Sequence, residues 1–128
     1  MYPEDRVYSI EHEWLRRDGD GDECVLGITQ FAQEELGDVV FVELPEVGAS
    51  FSAGAEIGTI ESVKAVAELY TPVACEIVAV NETVADNPEL INEDPHGKGW
   101  LVRVRLADAG ALASLMDASA YEEHVRAG

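Results

Sequence analysis

At 128 residues the chain has room for one domain with a real core and not for two comfortable ones, and 47% hydrophobic with 27% charged residues is a globular rather than a disordered composition. Its 26 acidic side chains against 8 basic ones give a net charge of −18, which repels phosphate backbones and anionic lipid surfaces and favours encounters with basic faces of other proteins. Nucleic acid and membrane are therefore not expected as partners, and the plainer use of such charge is solubility. No apolar run is long enough to cross a membrane, and the start Met1-Tyr2-Pro3-Glu4-Asp5-Arg6 lacks the apolar core of a signal peptide. That pattern predicts a cytoplasmic protein, or one of an organelle matrix if a transit peptide has been removed.

Two short strands are predicted at 7–10 and 14–16, with Glu11-His12-Glu13 between them, and Asp18-Gly19-Asp20-Gly21-Asp22 reads as a hairpin turn. The alternation of Asp and Gly there invites a calcium loop. Such a loop needs further oxygen ligands ending in a glutamate at its twelfth position, whereas a helix-like run begins soon after, so the turn is the better reading. A third strand over 24–28 leads to Thr29, an N-cap for a short helix from Gln30 to Leu36 that Gly37 closes. Over 38–44, Val39, Val40, Phe41 and Val42 form a nearly continuous apolar run stopped by Pro45, expected to be buried on both faces or near the sheet centre.

After a turn at 47–50, two apolar runs at strand spacing flank Ile60-Glu61-Ser62-Val63-Lys64-Ala65-Val66-Ala67, which reads as a hairpin with Lys64, one of only two lysines, at its tip. A side chain there stands clear of the body while the ladder beneath holds its backbone, so its amine is open to an approaching enzyme. An ordinary solvated turn lysine is the alternative. Residues 75–80 form a further strand with Ile77 and Val78 toward the interior, and 81–99 read mostly as loop with a turn of helix near Pro88. In the next strand Trp100, Val102, Val104 and Leu106 share one face, with Arg103 and Arg105 on the other. Asp108 and Asp117 then N-cap two C-terminal helices over 109–116 and 118–126. Short strands with frequent Gly and Pro turns make the chain mainly β, a small antiparallel barrel or sandwich.

Reactive constellations are sparse. Cys24 and Cys75 sit in apolar surroundings without a C-x-x-C spacing and read as buried free thiols. His12, His96 and His124 have no metal-ligand spacing, no phosphate-cradling glycine loop is present, and the many carboxylates nominate no dyad by spacing alone. No catalytic residue and no metal site is predicted. What remains is an attachment residue on a rigid platform, the minimum for a protein whose cofactor carries the chemistry.

The string Glu61-Ser62-Val63-Lys64-Ala65 resembles the lipoylation site of the glycine cleavage system H protein family. In the same order, so do Glu11-His12-Glu13-Trp14, Gly27-Ile28-Thr29, the run from Leu36 through Gly48, and Asn92-Glu93-Asp94-Pro95-His96-Gly97-Lys98-Gly99-Trp100. Biotin carriers place methionines beside their lysine, where Val63 and Ala65 stand here. One departure is Cys75, where the family usually has glycine.

The resemblance implies a single lipoyl-carrier domain over 1–128, of the biotinyl/lipoyl-carrier type, with a short helix after the third strand and C-terminal helices. Lys64 would carry lipoate in amide linkage, taking −18 to −19, and Glu61, Ser62, Val63 and Ala65 would present the hairpin to a lipoylating enzyme. The implied function is a shuttle. It takes an aminomethyl group from a glycine decarboxylase, the P protein, to an aminomethyltransferase, the T protein, and reducing equivalents to a dihydrolipoyl dehydrogenase, the L protein. Because the loaded arm carries a cationic amine, nearby acids are candidate contacts for it: Glu13 and Glu68 first, Glu11 third, each with a solvated surface acid as the alternative reading. A lipoate relay or other lipoyl-domain scaffold, never charged with aminomethyl groups, is the rival function.

Overall fold

The computed structural model describes residues 2–18 and 21–127. In chain order the elements are β1 (Val7–Tyr8), β2 (Glu13–Arg17), β3 (Glu23–Ile28), α1 (Gln30–Leu36), β4 (Val39–Glu43), β5 (Ser50–Phe51), β6 (Glu56–Ser62), β7 (Val66–Tyr70), β8 (Cys75–Val80), α2 (Glu82–Asp86), α3 (Leu90–Glu93), β9 (Val102–Leu106), a 3-10 turn (Ala109–Ser114) and α4 (Ala118–Ala127). The described strands make two antiparallel sheets, one ordered β1-β2-β3-β9-β8-β5 and a smaller one ordered β4-β6-β7. This is the mainly β barrel or sandwich expected, with the short helix after the third strand and helix at the C-terminus. Of the turn between β2 and β3, Gly19 and Asp20 lie outside the described residues.

Strand alternation builds two cores. Leu15, Leu26, Ile60, Leu69, Ile77, Val102 and Val104 pack between the sheets, while Trp14 and Val25, on the opposite face of the large sheet, pack with Tyr8 and with Tyr121 of α4. Trp14 is paired across the ladder with Gly27, and a Cβ added there would come within 2.6 Å of the indole. The missing side chain is what lets the ring lie flat on β3, its Nε1 donating to the carbonyls of Ile28 and Pro95, each at 3.0 Å. Both cysteines are buried and free; Cys75 occupies an ordinary ladder position opposite Leu106, so the departure from glycine leaves the backbone pairing intact.

Five expectations need correction. The apolar run of β4 is an edge strand with Val40 50% and Phe41 55% exposed: a bulge between Val39 and Phe41 turns both outward while Val39 and Val42 face the core. Composition alone gave no sign of that shift in phase. A second bulge, between Ile77 and Ala79, leaves Ile77 fully buried and Val78 only partly so. The segment 81–99 is helical in two places. The turn of helix expected near Pro88 is α3, whereas α2 is additional: Asn81 starts it, its side chain accepting from Val84 N while its amide group donates to the Lys98 and Trp100 carbonyls. The face shared by Val102, Val104 and Leu106 does not extend to Trp100, which joins the Trp14 cluster, because β9 begins only at Val102. Finally, the first C-terminal helix is a 3-10 turn ending at Ser114, since Met116 is drawn into a bridge with Tyr8.

Candidate functional site

Lys64 stands at the tip of the β6–β7 hairpin, exposed, and among the described residues no carboxylate pairs with its amine. Ser62 makes the turn. Its N–H donates to the Ala65 carbonyl at 2.8 Å, and its nearly buried hydroxyl accepts from the amides of Lys64 at 3.3 Å and Ala65 at 3.1 Å. Serine at the first turn position satisfies in this way the donors a tight turn leaves free. Val63 N–H donates to the Asp38 carbonyl at 3.0 Å, tying the tip to the segment just past α1. That segment is clamped in turn by Asn92, which accepts from Val39 N and donates to the Gly37 carbonyl, both at 2.8 Å.

The lysine stem lies over Gly37, the left-handed cap of α1 at φ 83°, where an added Cβ would sit 3.3 Å from Lys64 Cε. The amine thus rests beside the helix terminus whose exposed carbonyls favour a cation, although α1 has no basic residue of its own in its last turn. It is displayed, and its path is shaped.

A cavity of about 330 Å³ opens between α1 and β7. Ile28, Leu36, Ile60 and Leu69 are its apolar lining, and Glu11, Glu13, Glu35 and Glu68 are the acids among the residues that border it. The structure therefore brings together the three acids the sequence singled out, in different settings. Glu11 and Glu68 are exposed, Glu68 accepting from the Tyr70 hydroxyl at 3.4 Å. Glu13 is only 3% exposed because it shares the inward phase of Leu15, and its Oε1 accepts from Ser9 Oγ at 2.5 Å. Burial pushes its carboxyl up to about 7, a rise that the Ser9 hydroxyl and the Tyr70 amide oppose and the Glu11 charge adds to. The solvated-acid alternative is gone for Glu13.

The cavity thus joins an apolar lining to bordering acids, one of which, Glu13, has its carboxyl pushed up to about 7. The glycine cleavage H-protein family model matches residues 6–128. The chain belongs to the glycine cleavage H-protein family. It is 51% identical over 125 residues to the glycine cleavage system H protein of Marinobacter nauticus, covering 98% of this chain and 95% of the relative, and 53% identical over 120 residues to that of Escherichia coli, covering 94% and 92%. A crystal structure of an H protein from Mycobacterium marinum superposes with a TM-score of 0.88 at 41% identity, covering 98% of this chain and 99% of the other. As an H protein the chain has its role in the glycine cleavage system, beside that system's other components.

Sequence reasoning missed several residues that build this H protein's site. His12 adopts φ 70°, the single left-handed residue other than glycine among those described, and lines the cavity while its Nδ1 meets the Tyr121 hydroxyl at 2.7 Å. Tyr121 also meets Thr29 Oγ1 at 2.7 Å, so α4 braces the back of the cavity and the cap of α1 together. Burial, then the neighbouring His124, lowers the His12 pKa and keeps the ring neutral. Glu35 was read only as a helix position, yet its phase on α1 brings it to the cavity. His96, pushed down to about 4 by burial and then by Arg6, accepts from Gln30 N at 3.2 Å and so docks the 92–100 loop on the start of α1. Nothing in the spacing of these residues announced those contacts.

Proposed function

We propose that the chain is a single lipoyl-carrier domain, cytoplasmic and not itself catalytic, in which Lys64 is the attachment residue for lipoate. The observation that carries this reading is an exposed amine, without a carboxylate partner among the described residues, on a hairpin tip tied down by Ser62 and Asp38, its stem over Gly37. The residues fit the group: the tip is open to a lipoylating enzyme, which meets the exposed Glu61, Val63 and Ala65 around the lysine, while the buried Ser62 shapes the turn from beneath. When bound, the lipoyl group supplies sulfurs that accept the one-carbon unit from glycine and afterwards the electrons passed to a flavoprotein.

The protein's own part is to hold and shield. Ser62, Asp38 and Asn92 fix the tip, so that the amide points the same way at every visit to the P, T and L proteins. Tethering replaces diffusion of a labile group by a high effective concentration at each docked enzyme. Between visits, the apolar lining excludes water from a guest, and Glu13 and Glu68, with Glu11 at the rim, hold its cationic amine by charge-assisted hydrogen bonds. A carboxyl near 7 suits that role, because an arriving cation draws it into the ionised form while an empty cavity does not force a bare charge into the core.

Intact mass after incubation with lipoate, ATP and a lipoate ligase tests the attachment. A lipoyl-sized increment on wild type and none on Lys64→Ala is expected; an increment surviving Lys64→Ala would overturn it. Glycine-dependent loading by the P protein then separates the shuttle from a lipoate relay. Faster decay of the loaded arm in Glu13→Gln or Glu68→Gln tests the contacts, and unchanged lifetimes would remove both residues from the site.

A further inference from the structure

The turn between β1 and β2 is built on Ile10, Glu11 and His12, closed by Ser9 N–H donating to the Glu13 carbonyl at 2.9 Å and His12 N–H donating to the Ser9 carbonyl at 3.1 Å. A hairpin loop closed in this way puts its third residue in the left-handed region, where glycine fits at no steric cost. His12 takes that place at φ 70°. An imidazole where glycine would sit more easily points to a use for the side chain.

Two ties hold His12 there. Its Nδ1 meets the Tyr121 hydroxyl at 2.7 Å, and that hydroxyl meets Thr29 Oγ1, also at 2.7 Å. Thr29 N–H donates to the His12 carbonyl at 3.0 Å, so the turn, the cap of α1 and the fully buried Tyr121 of α4 close one circuit of hydrogen bonds around a single residue. The left-handed step also frees the Glu13 amide. With the Ser9 carbonyl taken by His12, that amide donates to Ser9 Oγ at 3.2 Å, and the same hydroxyl donates to Glu13 Oε1 at 2.5 Å. One serine thereby fixes both the backbone and the carboxyl of the buried acid.

We propose that Tyr121 and His12 are positioning residues of the cavity: the α4 hydroxyl holds His12 in its left-handed turn, and the turn, through Ser9, holds the Glu13 carboxyl in place for a cationic guest. The C-terminal helix then governs how long the loaded arm is kept from water. A turn that lost this conformation would return the Glu13 amide to the Ser9 carbonyl and leave the Ser9 hydroxyl without its fixed place. The inference deepens the reading of the cavity as the seat of the loaded arm and rests on it.

The test compares wild type, Tyr121→Phe, His12→Gly, His12→Asn and the double variant of the first two. Each is lipoylated, loaded with the P protein and glycine, and followed by the release of ammonia from the loaded arm. Glycine accepts the backbone conformation and drops the tie to Tyr121; asparagine also accepts it and keeps a polar atom near the place of Nδ1. Loss of one ordered hydrogen bond predicts a roughly fivefold shorter lifetime in Tyr121→Phe and in His12→Gly, no further loss in the double variant, and a lifetime near wild type in His12→Asn. In the unlipoylated proteins, hydrogen exchange at the Glu13 amide quickens in Tyr121→Phe and His12→Gly and recovers in His12→Asn. The Ile77 amide of β8, which donates to the Ala49 carbonyl, keeps its wild-type rate throughout.

Wild-type lifetimes in Tyr121→Phe and His12→Gly would overturn the proposal, as would a His12→Asn arm as short-lived as that of His12→Gly, or single effects that multiply in the double variant. Exchange that quickens at Ile77 as much as at Glu13 in both single variants would show loss of fold rather than of position, and overturns it too. A wild-type arm that decays no more slowly than that of Glu13→Gln would instead bring down the reading of the cavity as the arm's seat, and the positioning role with it.

Discussion

Replacing Glu13 by Gln separates what the fold needs from what the cavity needs. In the folded chain the carboxyl sits at about 7, against an ordinary 4.5, chiefly because burial disfavours its charge. Below pH 4.5 it is protonated in both folded and unfolded chains, and its ionisation costs the fold nothing. As pH rises the unfolded chain gives up its proton first, so the folded state binds more protons and stability falls. The loss is complete once pH passes 7. The gap from 4.5 to about 7, at about 1.4 kcal/mol for each tenfold, comes to about 3 kcal/mol. Glutamine has nearly the same shape and no charge, but weakens the bond to Ser9 by about 1 kcal/mol. The variant should therefore be about 2 kcal/mol more stable than wild type at pH 8, with the advantage gone by pH 5. Urea unfolding of both proteins at pH 5, 6, 7 and 8, followed by circular dichroism, measures the difference with other titrating groups cancelling. A difference that does not change with pH, or a variant less stable at pH 8, would refute a buried carboxyl that ionises at the fold's expense.

Three further substitutions probe the scaffold around the lysine. Gly27→Ala places a Cβ 2.6 Å from Trp14 Cζ2 and should cost about 2–4 kcal/mol through overpacking and strained indole hydrogen bonds, read as a lower urea midpoint with altered tryptophan fluorescence. Gly37→Ala adds a Cβ at φ 83° beneath the lysine stem and should lose about 1–2 kcal/mol in the same unfolding assay, more than an alanine at the exposed Gly21, where nothing lies within 4 Å. Asn92→Ala strips partners from the Gly37 carbonyl and the Val39 amide, at about 1–3 kcal/mol, and hydrogen exchange at the Val63 amide should quicken as the segment it is tied to loosens.

The lysine hairpin and α1 were legible because their information is local. Thr29 and Gly37 mark the ends of a helix by their own chemistry, Ser62 starts a turn by its own hydroxyl, and Lys64 is recognisable inside a five-residue string. Membership of the H-protein family was legible for the same reason, as strings in a shared order. Glu13 was within reach too: its phase with Leu15 placed it inward, but a lone acid at a strand start reads as surface until the partner sheet that covers it is known.

Tertiary structure alone decided the rest. The bulges that expose Val40 and Phe41 and leave Val78 half-buried depend on how two strands pair, and no window on one strand contains that. Asn92 and His96 act on α1 and its cap across more than fifty residues of chain, so their side chains carry no local mark of the task. The sequence by itself determined which amine is displayed and what family displays it; folding decided which carboxylates surround the cavity beside it, because a cavity is made of residues that only the packing of distant segments brings together.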